Sequence, residues 1–264
     1  TRTISSAASD VYKRQMEAEC KRSNRGFLQR MKTNKPYVIN KLAMSLDGRT
    51  AMKSGESQWI TGPEARAQVH LLRAQSCAVI TGIGSILRDN PSMNVRADEL
   101  TLAGVAEATI ELIKQPLRVV LDSQLRLPTS AKILQQLGSV LVMTCVADLQ
   151  RHQALIDMGV ELVVCAADDQ GKVDLSAVLT ILGRRQFNQV LVEAGAGLSG
   201  AFLKAGLTHH LVVYMAPKLL GSQAKALFNL PLDTMAQAVD VDIKGISQVG
   251  NDWRIDATPK RPDN

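Results

Sequence analysis

Glu193 stands two residues ahead of a glycine-patterned turn, Gly195-Ala196-Gly197-Leu198-Ser199-Gly200. The pattern is G-x-G-x-x-G. It follows an apolar strand-like run, Gln189–Val192, and opens a helical candidate, Leu198–Ala205. Glycines in that setting let backbone N–H groups approach a pyrophosphate at a helix N-terminus; read alone, the same residues also suit a plain tight turn. Glu193, at the C-terminal end of the strand, is either a carboxylate facing a substrate beside a phosphate loop or a solvated strand-end charge. No Asp or Glu ends the next strand, which runs into Ala216-Pro217-Lys218. The missing acid disfavours a bare ribose 2′-hydroxyl, and a nearby cation tolerates a 2′-phosphate.

A second glycine turn, Thr81-Gly82-Ile83-Gly84-Ser85, follows another apolar run. Asp89-Asn90-Pro91-Ser92 then reads as a turn, with Arg96 shortly after it and Arg73 on a preceding helix. Arginine suits bidentate phosphate binding, although each of these two also fits a solvated surface charge. From Lys41 to Trp59 a strand-like run breaks at Asp47-Gly48 into a polar loop that carries an isolated tryptophan. Trp59 in such a loop either covers a ligand or half-buries itself in a surface hairpin. The four histidines show no metal spacing, His209-His210 between a helix and a strand is expected at the surface, and no G-x-S-x-G elbow is present. Two glycine loops without an acyl nucleophile or a metal set point to an enzyme whose cofactor supplies the chemistry.

The elements that must position these residues alternate. Strands are expected at Tyr37–Met44, Ala78–Thr81, Leu117–Leu121, Val140–Cys145, Glu161–Cys165, Gln189–Val192 and Leu211–Met215. Helices are expected from Thr61 to about Ser76, and at Leu149–Met158, Asp174–Arg184 and Leu198–Ala205. Thr61 is the expected N-cap of the first helix, with Pro63 near its first position and Glu64 completing a capping box. Near-continuous apolar strands between helices predict a mainly parallel sheet covered on both faces. The last stretch, Val239 to Ala257, reads as an antiparallel hairpin turning at Gly250-Asn251-Asp252. Leu100 to Gln115 is either a helix or a surface insertion. Met16 to Met31 is charged and reads as helical up to Asn24-Arg25-Gly26, and the Ser/Ala-rich Thr1 to Gln15 reads as a leader unlike the rest.

At 264 residues with 45% hydrophobic content the chain can bury a substantial core. The net charge of +6 is scattered, with no basic stripe interleaved with aromatics, so nucleic acid is not an expected partner. Cys20, Cys77, Cys145 and Cys165 form no C-x-x-C pair, which argues against a metal centre and fits a reduced, cytoplasmic setting. No apolar run is long enough to span a membrane.

Six motifs together are more specific. K-L-A-M-S-L-D-G-R-T-A, S-G-E-S-Q-W-I-T, L-L-R-A-Q-S, D-N-P-S-M-N-V-R, V-E-A-G-A-G-L-S-G and A-P-K-L-L-G occur in that order. They resemble the reductase domain of the bifunctional riboflavin-biosynthesis deaminase–reductase, from about Lys35 to the C-terminus. E-A-E-C-K-R-S-N-R-G-F resembles the segment joining that family's two domains. The expected organisation is therefore a leader and inter-domain remnant over 1–34 and a reductase domain over 35–264. The resemblance implies an α/β, dihydrofolate-reductase-like fold: a mainly parallel sheet flanked by helices, with a C-terminal antiparallel hairpin. It implies NADPH-dependent reduction of the ribosyl group of 5-amino-6-(5-phosphoribosylamino)uracil to a ribityl group, in a homodimeric, cytoplasmic enzyme.

Carried over by motif, Ala43, Trp59, Ser85, Asp89, Ser123 and the run Gly195, Ala196, Gly197, Leu198, Ser199, Gly200, Ala201 would contact NADPH. Ser57, Arg73, Met93, Arg96 and Glu193 would contact the substrate, with Lys41 joining Glu193 near the ribose C1′. Met93 stands where the family usually has leucine, a volume-conserving change. The deaminase half's H-x-E and P-C-x-x-C zinc motifs do not occur in this sequence, so no deamination is expected of it. Two rival readings are a pterin reductase of the same fold and a nucleotide-binding regulatory protein that has lost turnover.

Overall fold

The structure is a computed structural model and describes residues 16–260. Its centre is a sheet built from runs rich in Val, Ile and Leu. In chain order these are β1 (Tyr37–Ser45), β3 (Ala78–Gly82), β4 (Leu117–Leu121), β5 (Val140–Thr144), β6 (Glu161–Val164), β7 (Gln189–Glu193), β8 (His210–Ala216), β10 (Val241–Val249) and β11 (Asp252–Pro259). Two short strands, β2 (Arg49–Ala51) and β9 (Lys225–Ala226), pair separately. The large sheet has the order β10-β11-β8-β1-β7-β3-β4-β5-β6. Strands β1 and β3 to β8 pair in parallel, and β11 pairs antiparallel with both β8 and β10. The expected parallel sheet with a closing hairpin is thus what forms.

The two-residue period of a strand divides the core between the sheet faces. Ile39, Val79, Val120, Val142 and Leu191 point to one side. Val38, Ile80, Val119, Leu141, Val190 and Val192 point to the other. The first face is covered by α3 (Pro63–Ala74) through Ala65, Val69 and Leu72, and by α4 (Ile83–Asp89) through Ile83 and Ile86. The second is covered by α8 (Leu175–Arg184) through Val178, Leu179 and Leu182, and by α9 (Ala196–Lys204) through Phe202.

Five further helices occur among the described residues: α1 (Glu17–Ser23) and α2 (Arg25–Thr33) before β1, then α5 (Ala97–Leu102), α6 (Glu107–Ile110) and α7 (Gln153–Asp157), the last following a 3-10 turn at Gln150–His152. The Leu100–Gln115 stretch is therefore two short helices joined by a turn. The stretch expected to be an inter-domain remnant continues beyond Asn24 as α2 and docks on the sheet. There Arg30 Nε donates to Asn188 Oδ1 at 2.7 Å. The reading of Thr1 to Gln15 lies outside the described residues.

Three local readings are corrected. The N-cap of α3 is Gly62, not Thr61, and neither Thr61 nor Glu64 makes a capping hydrogen bond. Pro63 fixes the first helical φ and so places the cap immediately before itself. The Gly62 N–H is held instead by Asp252 Oδ2, 2.6 Å away on β11. Helix α9, which follows β7, starts at Ala196, two residues before the expected Leu198, so that Gly197 lies inside it along with Gly200. Gly200 is needed there because a Cβ would stand 2.6 Å from the Asn229 carbonyl oxygen. His209 and His210, read as surface residues, are half-buried. His209 Nδ1 accepts from the Val38 N–H at 3.1 Å, and His210 Nε2 lies 2.8 Å from Asp256 Oδ1.

Candidate active site

The C-terminal ends of β1, β3 and β7 open on a cavity of about 800 Å³. This is the edge at which open parallel sheets bind ligands. Glu193 ends β7 inside the cavity wall. Parallel register places Lys41 of β1 directly beside it, and Lys41 Nζ lies 3.5 Å from Glu193 Oε2. From the last turn of α3, Arg73 donates Nε to Glu193 Oε1 at 2.6 Å and Nη2 to Oε2 at 3.0 Å. Its remaining Nη1 donates to the Asn94 carbonyl at 2.8 Å. Burial pushes the Glu193 carboxyl up, but the charges of Arg73 and Lys41 and the Arg73 hydrogen bonds prevail and hold it at about 2. At neutral pH the group is a carboxylate that can accept hydrogen bonds but has no proton to give.

One turn back on α3, His70 is buried beneath the loop that carries Arg96. Its Nδ1 accepts from the Arg96 N–H at 3.1 Å. Burial, then the charges of Arg73 and Arg96, lower its pKa to about 4. His70 is therefore neutral at pH 7 and supports the loop without adding charge.

The polar loop after Asp47 forms the cavity mouth. Asp47 accepts the Ser45 hydroxyl and the N–H groups of Leu220 and Gly221, the last at 2.8 Å. Two motifs far apart in sequence thereby meet. Trp59 stays largely exposed at the mouth, with the Arg66 guanidinium 4.6 Å from its ring centroid. Lys218 Nζ donates to the Trp59 carbonyl at 2.8 Å.

The two glycine turns lie side by side. A Cβ on Gly82 would touch the Leu198 side chain at 3.3 Å. Gly84, Gly195 and Gly197 each face open space where a side chain would stand. Gly195 is the N-cap of α9, so the first N–H groups of that helix open toward the cavity. Thr81 Oγ1 is buried in the cavity wall and has no hydrogen-bond partner among the described residues. Free helix-end N–H groups, side-chain-free turns and an unpartnered hydroxyl together fit a phosphate-bearing dinucleotide.

Of the residues singled out from sequence, Lys41, Ala43, Ser57, Trp59, Arg73, Ser85, Asp89, Met93, Glu193, Gly195, Ala196, Gly197 and Leu198 line this one cavity. Burial raises the Asp89 carboxyl, opposed by the charges of Arg88 and Lys225. Met93 is buried and takes a left-handed backbone at φ 55°. Five others are not brought to the wall. Arg96 turns outward, half-exposed, and pairs with Glu99 at 2.5 Å. Ser123 Oγ accepts from the Val173 N–H at 3.0 Å. Ser199 is buried and donates to the Ala194 carbonyl at 3.2 Å. Gly200 packs on Asn229, and Ala201 is exposed on α9. Sequence reasoning missed Thr81 as a wall residue, and also Arg66, Arg88, Lys225 and Asn229. Thr81 stood within a quoted motif, but the other four carry no local pattern that marks them.

Among the described residues no group of three or more His, Cys, Asp or Glu is placed to hold a metal ion. No described helix is long and apolar enough to cross a membrane.

Residues 36–255 match the family model described as RibD C-terminal domain. The chain is 42% identical over 250 residues to the Riboflavin biosynthesis protein RibD of Escherichia coli, covering 94% of this chain and 67% of that protein. It is 32% identical to the 5-amino-6-(5-phosphoribosylamino)uracil reductase of Buchnera aphidicola, covering 80% of this chain and 100% of that one. The solved structure of Acinetobacter baumannii RibD superposes with a TM-score of 0.79 at 41% identity, over 91% of this chain and 62% of that one. The chain thus spans about two thirds of the length of its RibD relatives. It belongs to the RibD C-terminal domain family.

Proposed function

We propose that this chain is an NADPH-dependent oxidoreductase of riboflavin biosynthesis that reduces the ribosyl group of 5-amino-6-(5-phosphoribosylamino)uracil to a ribityl group. The observation that carries the reading is the Glu193–Arg73–Lys41 cluster beside two glycine turns in one cavity. Support comes from the Buchnera relative, whose name states this activity and whose whole length is matched.

NADPH, when bound, supplies the hydride that reduces C1′ of the opened sugar. Gly195, Ala196, Gly197 and Leu198, with Ser85, Thr81 and Asp89, would hold it, and Ala43 and Trp59 would bound the nicotinamide side. Ser57, Met93, Arg73 and Glu193 would hold the substrate, and Arg96 would join them by leaving Glu99 for a phosphate oxygen.

The reaction consumes one proton along with the hydride. Glu193 is ionised and Arg73 does not deprotonate, so Lys41 is the member of the cluster that can deliver a proton to the amine nitrogen. Glu193 orients Lys41, whose Nζ lies 3.5 Å from Oε2, and it can accept from a ribose hydroxyl. Charge placement and orientation are the protein's work.

A homodimer is part of the proposal. The outer strand β10 leaves one edge unpaired and exposes Val241, Ile243 and Ile246, an edge that a second copy would cover. The stretch from Glu17 to Phe27 would correspond to the segment that joins the two domains in the RibD relatives. Four free thiols suit a cytosolic enzyme. NADPH oxidation on adding the deaminated substrate tests the reading, and a parallel assay with dihydrofolate tests the pterin alternative.

A further inference from the structure

The cations of the cavity are unequally occupied. Lys41 and Arg73 are both held in ion pairs with Glu193. Arg66 lies against the Trp59 ring and donates to the Thr61 carbonyl at 3.0 Å. Arg88 and Lys225 also line the cavity, yet neither side chain makes a hydrogen bond or an ion pair among the described residues. The carboxylate acting on both is Asp89. Two cations facing one carboxylate leave a net positive charge on this wall.

Their placement is built rather than incidental. Arg88 lies on α4 three residues after Ser85, hence on the same side of the helix as the second glycine turn. Lys225 belongs to β9, and the segment after it reaches α9, where the Asn229 N–H donates to the Ala196 carbonyl at 3.0 Å. The two side chains converge over Gly55, which is buried with φ +99°. A Cβ there would stand 3.3 Å from Lys225 Nζ and 3.6 Å from Arg88 Cδ. Glycine at 55 is what lets the mouth loop pass beneath both cations. The glycine turns offer backbone N–H groups to an anion, and these two side chains offer full charges to the same cavity.

We infer that Arg88 and Lys225 form a phosphate subsite that clamps the pyrophosphate bridge of the dinucleotide opposite the N-terminus of α9. The inference rests on the proposed function, because it assumes that a dinucleotide occupies the glycine turns. A pyrophosphate is common to NADPH and NADH, a 2′-phosphate belongs to NADPH alone, and the substrate carries a phosphate of its own. These three sources separate experimentally.

The test is equilibrium binding of NADPH and of NADH to wild type, Arg88→Gln, Lys225→Gln and Lys225→Arg, read by nucleotide fluorescence without substrate. Each Gln variant is expected to weaken both nucleotides about tenfold, leaving their affinity ratio unchanged, while Lys225→Arg binds as wild type does. Thermal unfolding of the two Gln variants should match wild type, since neither side chain holds a partner in the fold. Weakening confined to NADPH would assign the pair to the 2′-phosphate and overturn the proposal. Unchanged nucleotide binding with a raised KM for the aminouracil would assign it to the substrate phosphate, with the same consequence. Unchanged binding of both nucleotides alone would remove only the subsite. Failure of wild type to bind either nucleotide would remove the cofactor reading, and the subsite with it.

Discussion

Arg73 grips Glu193 through two edges of its guanidinium, Nε to Oε1 at 2.6 Å and Nη2 to Oε2 at 3.0 Å, and spends its last nitrogen on the Asn94 carbonyl. The pair joins the end of a central strand to the last turn of α3 and to the loop before Arg96. A bidentate, buried pair fixes carboxylate orientation as well as charge. Lys41, 3.5 Å from the same carboxylate, is the neighbouring group placed to act on substrate.

Glu193→Gln keeps the shape and removes the charge. Turnover is expected to fall on the order of a hundredfold, about 2.7 kcal/mol of transition-state stabilisation, while the Kd for NADPH changes less than about twofold. Steady-state kinetics beside direct nucleotide titration checks both halves. A wild-type rate would return Glu193 to the status of a structural carboxylate.

His70 sets a stability window in pH. Its folded pKa is lowered to about 4 from an ordinary 6.5. The unfolded chain binds the proton more readily, so stability is full above about pH 6.5 and declines as pH falls toward 4. The loss attributable to this one group is up to about 3 kcal/mol. Denaturant melts at pH 7 and pH 4.5 should show a smaller decline for His70→Gln than for wild type. An equal decline in both would place the acid sensitivity elsewhere.

Thr81→Val replaces an unpartnered buried hydroxyl with a methyl of the same shape. Stability should hold or rise, because a desolvated polar atom is removed without breaking a hydrogen bond. NADPH affinity should drop severalfold, since the hydroxyl faces the proposed cofactor. Calorimetric unfolding and nucleotide titration on the same preparation separate the two effects, and an unchanged affinity would leave Thr81 without a ligand.

Gly200→Ala drives a Cβ to within 2.6 Å of the Asn229 carbonyl oxygen. The backbone of one segment must move, at a cost of about 1–3 kcal/mol. Because Asn229 also donates to the Ala196 carbonyl, the displacement should loosen the N-terminus of α9 and weaken nucleotide binding. An unaltered melting curve would contradict the close approach.

Much of this architecture can be read from residue order. Runs such as Val38-Ile39 and Val190-Leu191-Val192 alternate sides of one sheet, so the strands and their double burial follow from apolar runs too short for buried helices. The hairpin turn at Gly250 was equally plain, with φ +59° there. Local capping misled because Pro63 and a tertiary acceptor, Asp252, decide the start of α3, and no window around Thr61 contains Asp252. The cluster was half legible. Glu193 ends a strand ahead of glycines, but its meeting with Lys41 depends on β1 and β7 being neighbours, and its meeting with Arg73 depends on how α3 lies across them. Arg88 and Lys225 gave no signal, since an isolated cation in a polar segment looks the same whether it faces solvent or a cavity.

Cofactor choice follows from the strand after the glycine turn. Strand β8 ends at Ala216, followed by Pro217 and Lys218, without an acid to hold a 2′-hydroxyl. Catalytic efficiency should favour NADPH clearly over NADH. Equal efficiency with the two would refute this reading of the β8 end.

The most direct measurement is NADPH oxidation by the purified chain on addition of 5-amino-6-(5-phosphoribosylamino)uracil, with the product identified by mass. The account predicts one NADPH consumed per ribityl product formed, a mass gain of two hydrogens on the substrate, and near-complete loss of that turnover in Lys41→Met with nucleotide binding retained. NADPH binding without any oxidation of it by this substrate, or reduction of dihydrofolate in its place, would contradict it.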